Sequence, residues 1–232
     1  MSEGAGGQRG HAGRVAAVCV SGSDLLPLPD RRPDRSGIDK KPVAGRVAGR
    51  VAVHELGLDG DVQVNRKYHG GEGRAVYAYA QEDAAWWERE LGRDLPAGRF
   101  GENLRTEGLD MTGALLGEQW RVGTTLLEVS AFRTPCANFE RFWGVPQLVK
   151  RFAAHGATGA YLRVLETGDV GVGDRVEVVS RPDHDVTVEL AFRALTTRPS
   201  RLPELAPAVR YLPVKVRDRV ARKIDARIAA TA

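Results

Sequence analysis

The chain has two cysteines, Cys19 and Cys136, in 232 residues, and that scarcity excludes a good deal. Two thiols cannot build a disulfide framework. Nor can they supply the four thiolates an iron–sulfur cluster usually takes. Five histidines lie scattered without zinc-ligand spacing, and neither a zincin helix nor a G-x-S-x-G nucleophile elbow is present. No run approaches ~18 uninterrupted apolar residues, so no membrane-spanning segment is expected. Residues 1–13 are Gly-rich and lack the apolar block of a signal peptide. A reducing cytosol is the expected compartment.

What is present fits a globular protein: 42% hydrophobic and 28% charged residues, enough chain for one large domain or one domain with an appendage. The net charge of +4 is not spread evenly. Nine Lys/Arg against three acids between Leu195 and Ala232 give that tail +6 and leave the rest of the chain at −2. A body that grips nucleic acid along its surface is therefore not expected.

Taken in order, residues 1–14 are expected to be a disordered leader. Val15–Val20 is of strand type, with Cys19 inside it as a small buried hydrophobe. Leu26–Pro42 is Pro-rich loop, Gly45–Val53 a strand, and Val62–Val64 a short one. Ala75–Tyr79 is the next strand. Gln81–Leu91 has Glu82 and Asp83 in its first turn, Ala84, Trp87 and Leu91 on one face and Gly92 as a stop, which predicts a helix. Trp86 and Trp87 are expected to pack in a core or lid. Leu115–Ser130 divides into two strands about the Val122–Thr124 turn. Pro146–His155 is a second helix ending at Gly156. Ala160–Leu165, Arg175–Val179 and Val186–Leu190 complete the strands. Many short strands with two inserted helices predict a mostly-β barrel or strongly curved sheet over residues 15–190. In the basic tail, 191–232, Pro203, Pro207 and Pro213 interrupt the chain. Beyond them Val216, Val220, Ile224 and Ile228 make an apolar stripe expected to pack on the body or on a second subunit. A membrane or nucleic-acid contact is the other reading of that tail.

Two polar segments carry what chemistry there is. Lys67–Arg74 holds three glycines in a polar run, and glycine lets backbone approach a ligand or turn through positive φ. By itself that segment is equally a plain turn. Cys136 follows Arg133-Thr134-Pro135 at the end of the Thr125–Ser130 strand. Arg133 and local N–H groups favour a thiolate there, the form that attacks or ligates a soft metal. On composition alone a buried inert thiol remains just as open.

The series Gly57–Asp61, His69-Gly70-Gly71, Trp86-Trp87, Phe100–Leu104, Leu116–Glu118 and Arg133–Cys136, in that order, resembles the MOSC domain. That family is named for the C-terminal part of molybdenum cofactor sulfurase, and the layout is similar to its stand-alone YiiM-type branch. The resemblance implies a β-barrel fold and the molybdenum cofactor (molybdopterin), with Cys136 as catalytic residue and metal ligand. It implies a small N-hydroxylated substrate, of the 6-N-hydroxylaminopurine type. It places Lys67, His69, Gly70, Gly71, Phe100, Gly101, Asn103, Arg133 and Thr134 at the cofactor. Asn103 would meet a pterin edge, and Arg133 and Lys67 the cofactor phosphate. With no flavin or nicotinamide motif, electrons must come from a separate reductase. No pyridoxal phosphate site is expected, and a homodimer is left open. A cofactor or sulfur carrier without turnover is the rival function, and a basic-tailed DNA-binding module a third. Where the family has an acid–lysine pair after His-Gly-Gly, this chain has Gly73-Arg74, which keeps a cation. Where the branch carries three C-terminal helices, the proline-broken tail is expected to form at most one good helix.

Overall fold

The computed structural model describes residues 12–21, 40–43, 49–61 and 71–229. The strand expected at Val62–Val64, and Lys67, His69 and Gly70, lie outside them. The elements are β1 Ala12–Val20, β2 Lys41–Pro42, β3 Arg50–His54, β4 Gly57–Leu58, β5 Val76–Ala80, α1 Gln81–Leu91, β6 Leu104–Glu107, β7 Gln119–Val122 and β8 Thr125–Phe132. They continue with α2 Ala137–Trp143, α3 Leu148–His155, β9 Ala160–Glu166, β10 Gly168–Gly171, β11 Arg175–Ser180, α4 Val188–Leu195 and α5 Val214–Ala229. Short 3-10 turns run over Glu72–Arg74 and Pro199–Tyr211.

Seven strands close into a barrel in the order β11-β7-β8-β9-β5-β6-β1, with β1 returning to β11, and β2 is added beyond β1. The barrel pairs are antiparallel except β5–β6, which run parallel because α1 and the loop before β6 carry the chain back along the sheet. β3, β4 and β10 form a separate three-stranded sheet. Closure leaves a barrel without free edges, as the many short strands predicted.

Strand β5 shows how side chains divide. Its period-2 sequence sends Val76, Ala78 and Ala80 into the larger core and Tyr77 and Tyr79 into a second, aromatic core. Tyr161 of β9 and Ala131 of β8 join that second core. Helices α1, α2 and α3 cover it with Trp87, Phe139, Trp143, Leu148 and Phe152. The stack is dense: Phe100 lies on Tyr79 with ring centroids 4.0 Å apart, and Trp87 on Phe152 at 5.6 Å. Trp87 is thus core, while half-buried Trp86 stacks on His155.

Several sequence expectations are corrected. Val186–Leu190 is not the last strand: only an isolated bridge joins Thr187 to Leu115, and α4 starts at Val188. Thr187 Oγ1 caps that helix by accepting the Leu190 N–H, and Val188, Ala191 and Phe192 bury at helical spacing. The tail holds one long α-helix, α5, as expected, but more helical structure precedes it. α4, the 3-10 stretch and α5 succeed one another as three helical segments, with Pro203 and Pro207 inside the 3-10 stretch, where the α-helical ladder would lose donors. The second inserted helix starts at Leu148 rather than Pro146, after Gln147 at φ 58°, and Leu148 and Phe152 face inward. The first strand begins at Ala12, so residues 12–14, expected in the leader, pair with β11.

The tail docks. Val220 and Ile224 are each 3% exposed in the larger core, together with Leu202, Leu205 and Ala208. Phe192 of α4 meets Phe132 of β8 edge-on at 5.5 Å. Of the expected stripe, Ile228 remains 48% exposed.

Candidate functional site

Strand β8 ends at Phe132, and an irregular turn, Arg133–Pro135, leads to Cys136 at the N-cap position of α2. The Cys136 backbone is extended, and its carbonyl accepts the Glu140 N–H at 3.1 Å. Its free thiol is half-buried against the aromatic core. The sequence anticipated a strand-end cysteine but not α2, which begins immediately after it. Thr134 is exposed and Pro135 buried, so the turn is pinned by the proline while the threonine faces solvent.

Arg133 is 6% exposed, a costly place for a guanidinium without a partner. It donates from Nη1 to the Phe100 carbonyl at 2.7 Å and lies over the rings of Phe139 and Tyr77, at 4.7 and 5.2 Å. Its buried Nε has no acceptor, and among the described residues no carboxylate pairs with it. A cation three residues from a half-buried thiol thus keeps an unused donor.

The Phe100–Asn103 segment holds Arg133 in place. Phe100 itself is wholly buried in the aromatic core, so its carbonyl, not its ring, faces the site. Gly101 takes φ 76°, a conformation that side chains disfavour, and this turns the segment back on itself. Glu102, 0% exposed, closes the turn. Its Oε2 accepts the Phe100 N–H at 2.9 Å, and its Oε1 accepts the Gly98 N–H and Arg105 Nε at 2.9 and 2.7 Å. Sequence reasoning passed over Glu102; the signal was a carboxylate inside a Gly-flanked loop with an arginine three residues on.

Asn103 is held by the fold at both ends of its amide. Its Oδ1 accepts the Tyr77 N–H at 3.1 Å, and its Nδ2 donates to the Cys19 carbonyl at 3.3 Å and to Asp61 at 2.8 Å. Through these bonds it braces β5, β1 and Asp61. Asp61 also accepts Lys40 Nζ at 2.7 Å and the Ser21 N–H and hydroxyl at 3.0 Å. Burial opposes ionisation of Asp61, but Lys40, Asn103 and Ser21 together outweigh it and hold the carboxyl below the usual range. Burial draws the Lys40 ammonium down, and Asp61 offsets part of that. Lys40, within the segment expected as loop, is thus a buried partner of Asp61.

Gly71 opens the Glu72–Arg74 turn at φ 83°. Arg74 of that turn lies over Tyr161 at 5.7 Å, and Tyr161 and Tyr77 are 4.9 Å apart. The structure therefore joins Arg133, Cys136, Phe100, Gly101 and the Gly71 end of the glycine segment around one aromatic core. Cys19 is a different thiol: burial, aided by Glu102, pushes its pKa up to about 12, and it stays a neutral core residue. Among the described residues no three His, Cys, Asp or Glu side chains converge as a metal cage, and no helix is long and apolar enough to cross a membrane.

The described residues thus form a closed barrel that carries a free, half-buried cysteine three residues after a buried arginine. The MOSC domain model matches residues 65–177. YflK of Bacillus subtilis, itself uncharacterized, is 34% identical over 164 residues, 71% of this chain and 72% of that protein. YiiM of Escherichia coli is 35% identical over 149 residues, 63% of this chain and 66% of its own. A reductase of Gibberella moniliformis is 32% identical over 138 residues, 58% of this chain but 24% of that longer protein. The crystal structure of YiiM from Geobacillus stearothermophilus superposes with a TM-score of 0.73 at 26% identity, covering 91% of this chain and 99% of that one. The chain belongs to the MOSC domain family.

Proposed function

We propose that the protein is a molybdenum-cofactor-binding oxidoreductase that reduces N-hydroxylated small molecules, hydroxylaminopurine-like compounds among them. The observation that carries this reading is Arg133: an almost fully buried guanidinium with an unpartnered Nε, three residues from a free, half-buried thiol. Buried cations without a carboxylate are stable where an anion completes them, and guanidinium geometry suits phosphate. Family membership and the reductase among the relatives supply the chemical class.

The residues present fit the group. Cys136 would hold the metal through its sulfur, a soft donor that does not need a histidine cage. Arg133 would hold the cofactor's phosphate, its position fixed by the Phe100 carbonyl and by two aromatic rings. By resemblance, His69, Gly70 and Gly71 line the cofactor loop, and Lys67 adds a cation. The cofactor supplies two-electron redox chemistry that no side chain of this protein provides. Removing the hydroxyl of an N–OH group consumes two electrons and two protons and releases water, so a separate reductase must deliver the electrons. Excluding solvent around the thiol falls to the aromatic core beneath it.

Protein produced in a cofactor-competent host, supplied with a chemical electron donor and hydroxylaminopurine, tests the reading. Bound molybdenum with multiple turnovers supports it. Stoichiometric transfer of sulfur or cofactor to an acceptor, without turnover, makes the protein a carrier instead.

A further inference from the structure

Gly73 has no positive φ and no conformational need to be glycine, yet a Cβ placed on it would lie 2.8 Å from Pro213 Cβ and 2.9 Å from Pro213 Cγ. Those distances are well inside van der Waals contact, and a proline ring cannot rotate away. Pro213 is the joint between the 3-10 stretch and α5, and its carbonyl accepts the Val216 N–H at 2.9 Å. From the other side, Ser130 Oγ of β8 lies 2.7 Å from the Gly73 carbonyl, to which it donates, and 3.1 Å from the Tyr161 carbonyl. The peptide at Gly73 is therefore clamped between the barrel wall and the C-terminal module.

The clamp leads inward. Gly73 precedes Arg74, whose guanidinium lies over Tyr161. Tyr161 packs on Tyr77, and Tyr77 on Arg133, so one column, two rings between two cations, runs from the clamp to the candidate anion site. Neighbouring contacts hold the joint itself: Tyr211 packs on Gly117, and Arg163 donates to the Tyr211 carbonyl at 3.3 Å.

We infer that Pro213 is a positioning residue for the site: the C-terminal helical module sets the Gly71–Arg74 turn, and through Arg74 the aromatic column under Arg133. The functional half of this inference rests on the molybdenum reading; the mechanical half does not. On this basis the three C-terminal segments are part of the site's scaffold, and their displacement by a bound partner would be felt at Arg74.

Three variants in the full-length chain test it: Gly73→Ala, Pro213→Gly, and both together. The Arg74 N–H, bonded to the Gly71 carbonyl at 2.8 Å, is the mechanical reporter. Its hydrogen exchange is expected to rise by roughly tenfold in Gly73→Ala and to return toward the wild-type rate in the double variant, since removing the ring removes the clash. Turnover per bound molybdenum should follow the same pattern, because a misplacement of about 1 Å can cost up to roughly 100-fold. If Gly73→Ala fails to fold, Pro213→Gly alone decides, through faster Arg74 exchange at an unchanged melting temperature. Unchanged Arg74 exchange in Pro213→Gly, or a double variant no better than Gly73→Ala, overturns the inference. Wild-type protein that binds no molybdenum sinks the functional reading, and the exchange data still judge the clamp.

Discussion

The Arg133 guanidinium donates to the Phe100 carbonyl at 2.7 Å, and its buried Nε meets no acceptor among the described residues. The first contact fixes where the cation points, and the second leaves it a donor in reserve. Glu102 makes the arrangement rigid, because Phe100, the residue whose carbonyl receives Arg133, has its own N–H held by the Glu102 carboxylate. An arginine kept only for packing would be expected to use that donor.

Arg133→Met should therefore cost stability modestly and ligand holding severely. The Phe100 carbonyl loses its buried donor, a loss of about 1–3 kcal/mol in thermal or denaturant unfolding. Arg133→Lys keeps the charge but not the planar fork, and should retain markedly less molybdenum than wild type at nearly unchanged stability. Metal-to-protein ratios of the two variants check this. Wild-type retention in Arg133→Lys would reduce the residue to a point charge.

Asp61→Asn should reveal a pH-dependent brace. The folded Asp61 carboxyl is held below its ordinary value, so its stabilisation is complete above that value, near pH ~4, and is lost as pH falls through the folded value. The substitution also strands Lys40, whose side chain is 8% exposed. Breaking a buried pair costs about 3–5 kcal/mol. The difference between wild type and variant should be flat from pH 5 to 7, on the order of that cost, and shrink below about pH 4. Denaturant unfolding across that range measures it; a difference that grows as pH falls would contradict the assignment.

Truncation after Leu212 should destabilise the whole barrel. It removes Val220 and Ile224, both 3% exposed, each contributing about 1.5–3 kcal/mol by burial. It also uncovers Leu202, Leu205 and Ala208 beneath them. Lower solubility and a lower melting temperature are expected. A truncated chain that is equally stable and monodisperse would make α5 a detachable basic arm.

The barrel was legible because strands such as β7 bury every second residue, Trp120 and Val122, and because α1 has acids at its start and a glycine at its end. α4 was misread because Val186-Thr187-Val188 alternates like a strand, while the residues that declare a helix, Ala191 and Phe192, come later. The 3-10 stretch was hidden by its prolines, which argue against an α-helix and say nothing of a tighter one. At the site, Arg133 and Cys136 were legible from four adjacent letters. Asn103, Asp61 and Lys40 were not, because their pairing spans distant segments that only the closed barrel brings together. Phe100 reads as a pocket wall, and only tertiary packing shows its ring buried and its carbonyl bonded to Arg133.

The central claim is that Cys136 is the protein's ligand to molybdenum, and the direct measurement compares Cys136→Ser with Cys19→Ser. The two changes are chemically identical at different places. Serine's oxygen is a harder donor and stays protonated near neutral pH, so it cannot replace a thiolate. Cys136→Ser should fold with a wild-type melting temperature, lose nearly all reduction of hydroxylaminopurine and retain less molybdenum. Cys19→Ser should keep both, with a modest stability loss from burying a hydroxyl. Near-wild-type turnover and metal content in Cys136→Ser would contradict the account.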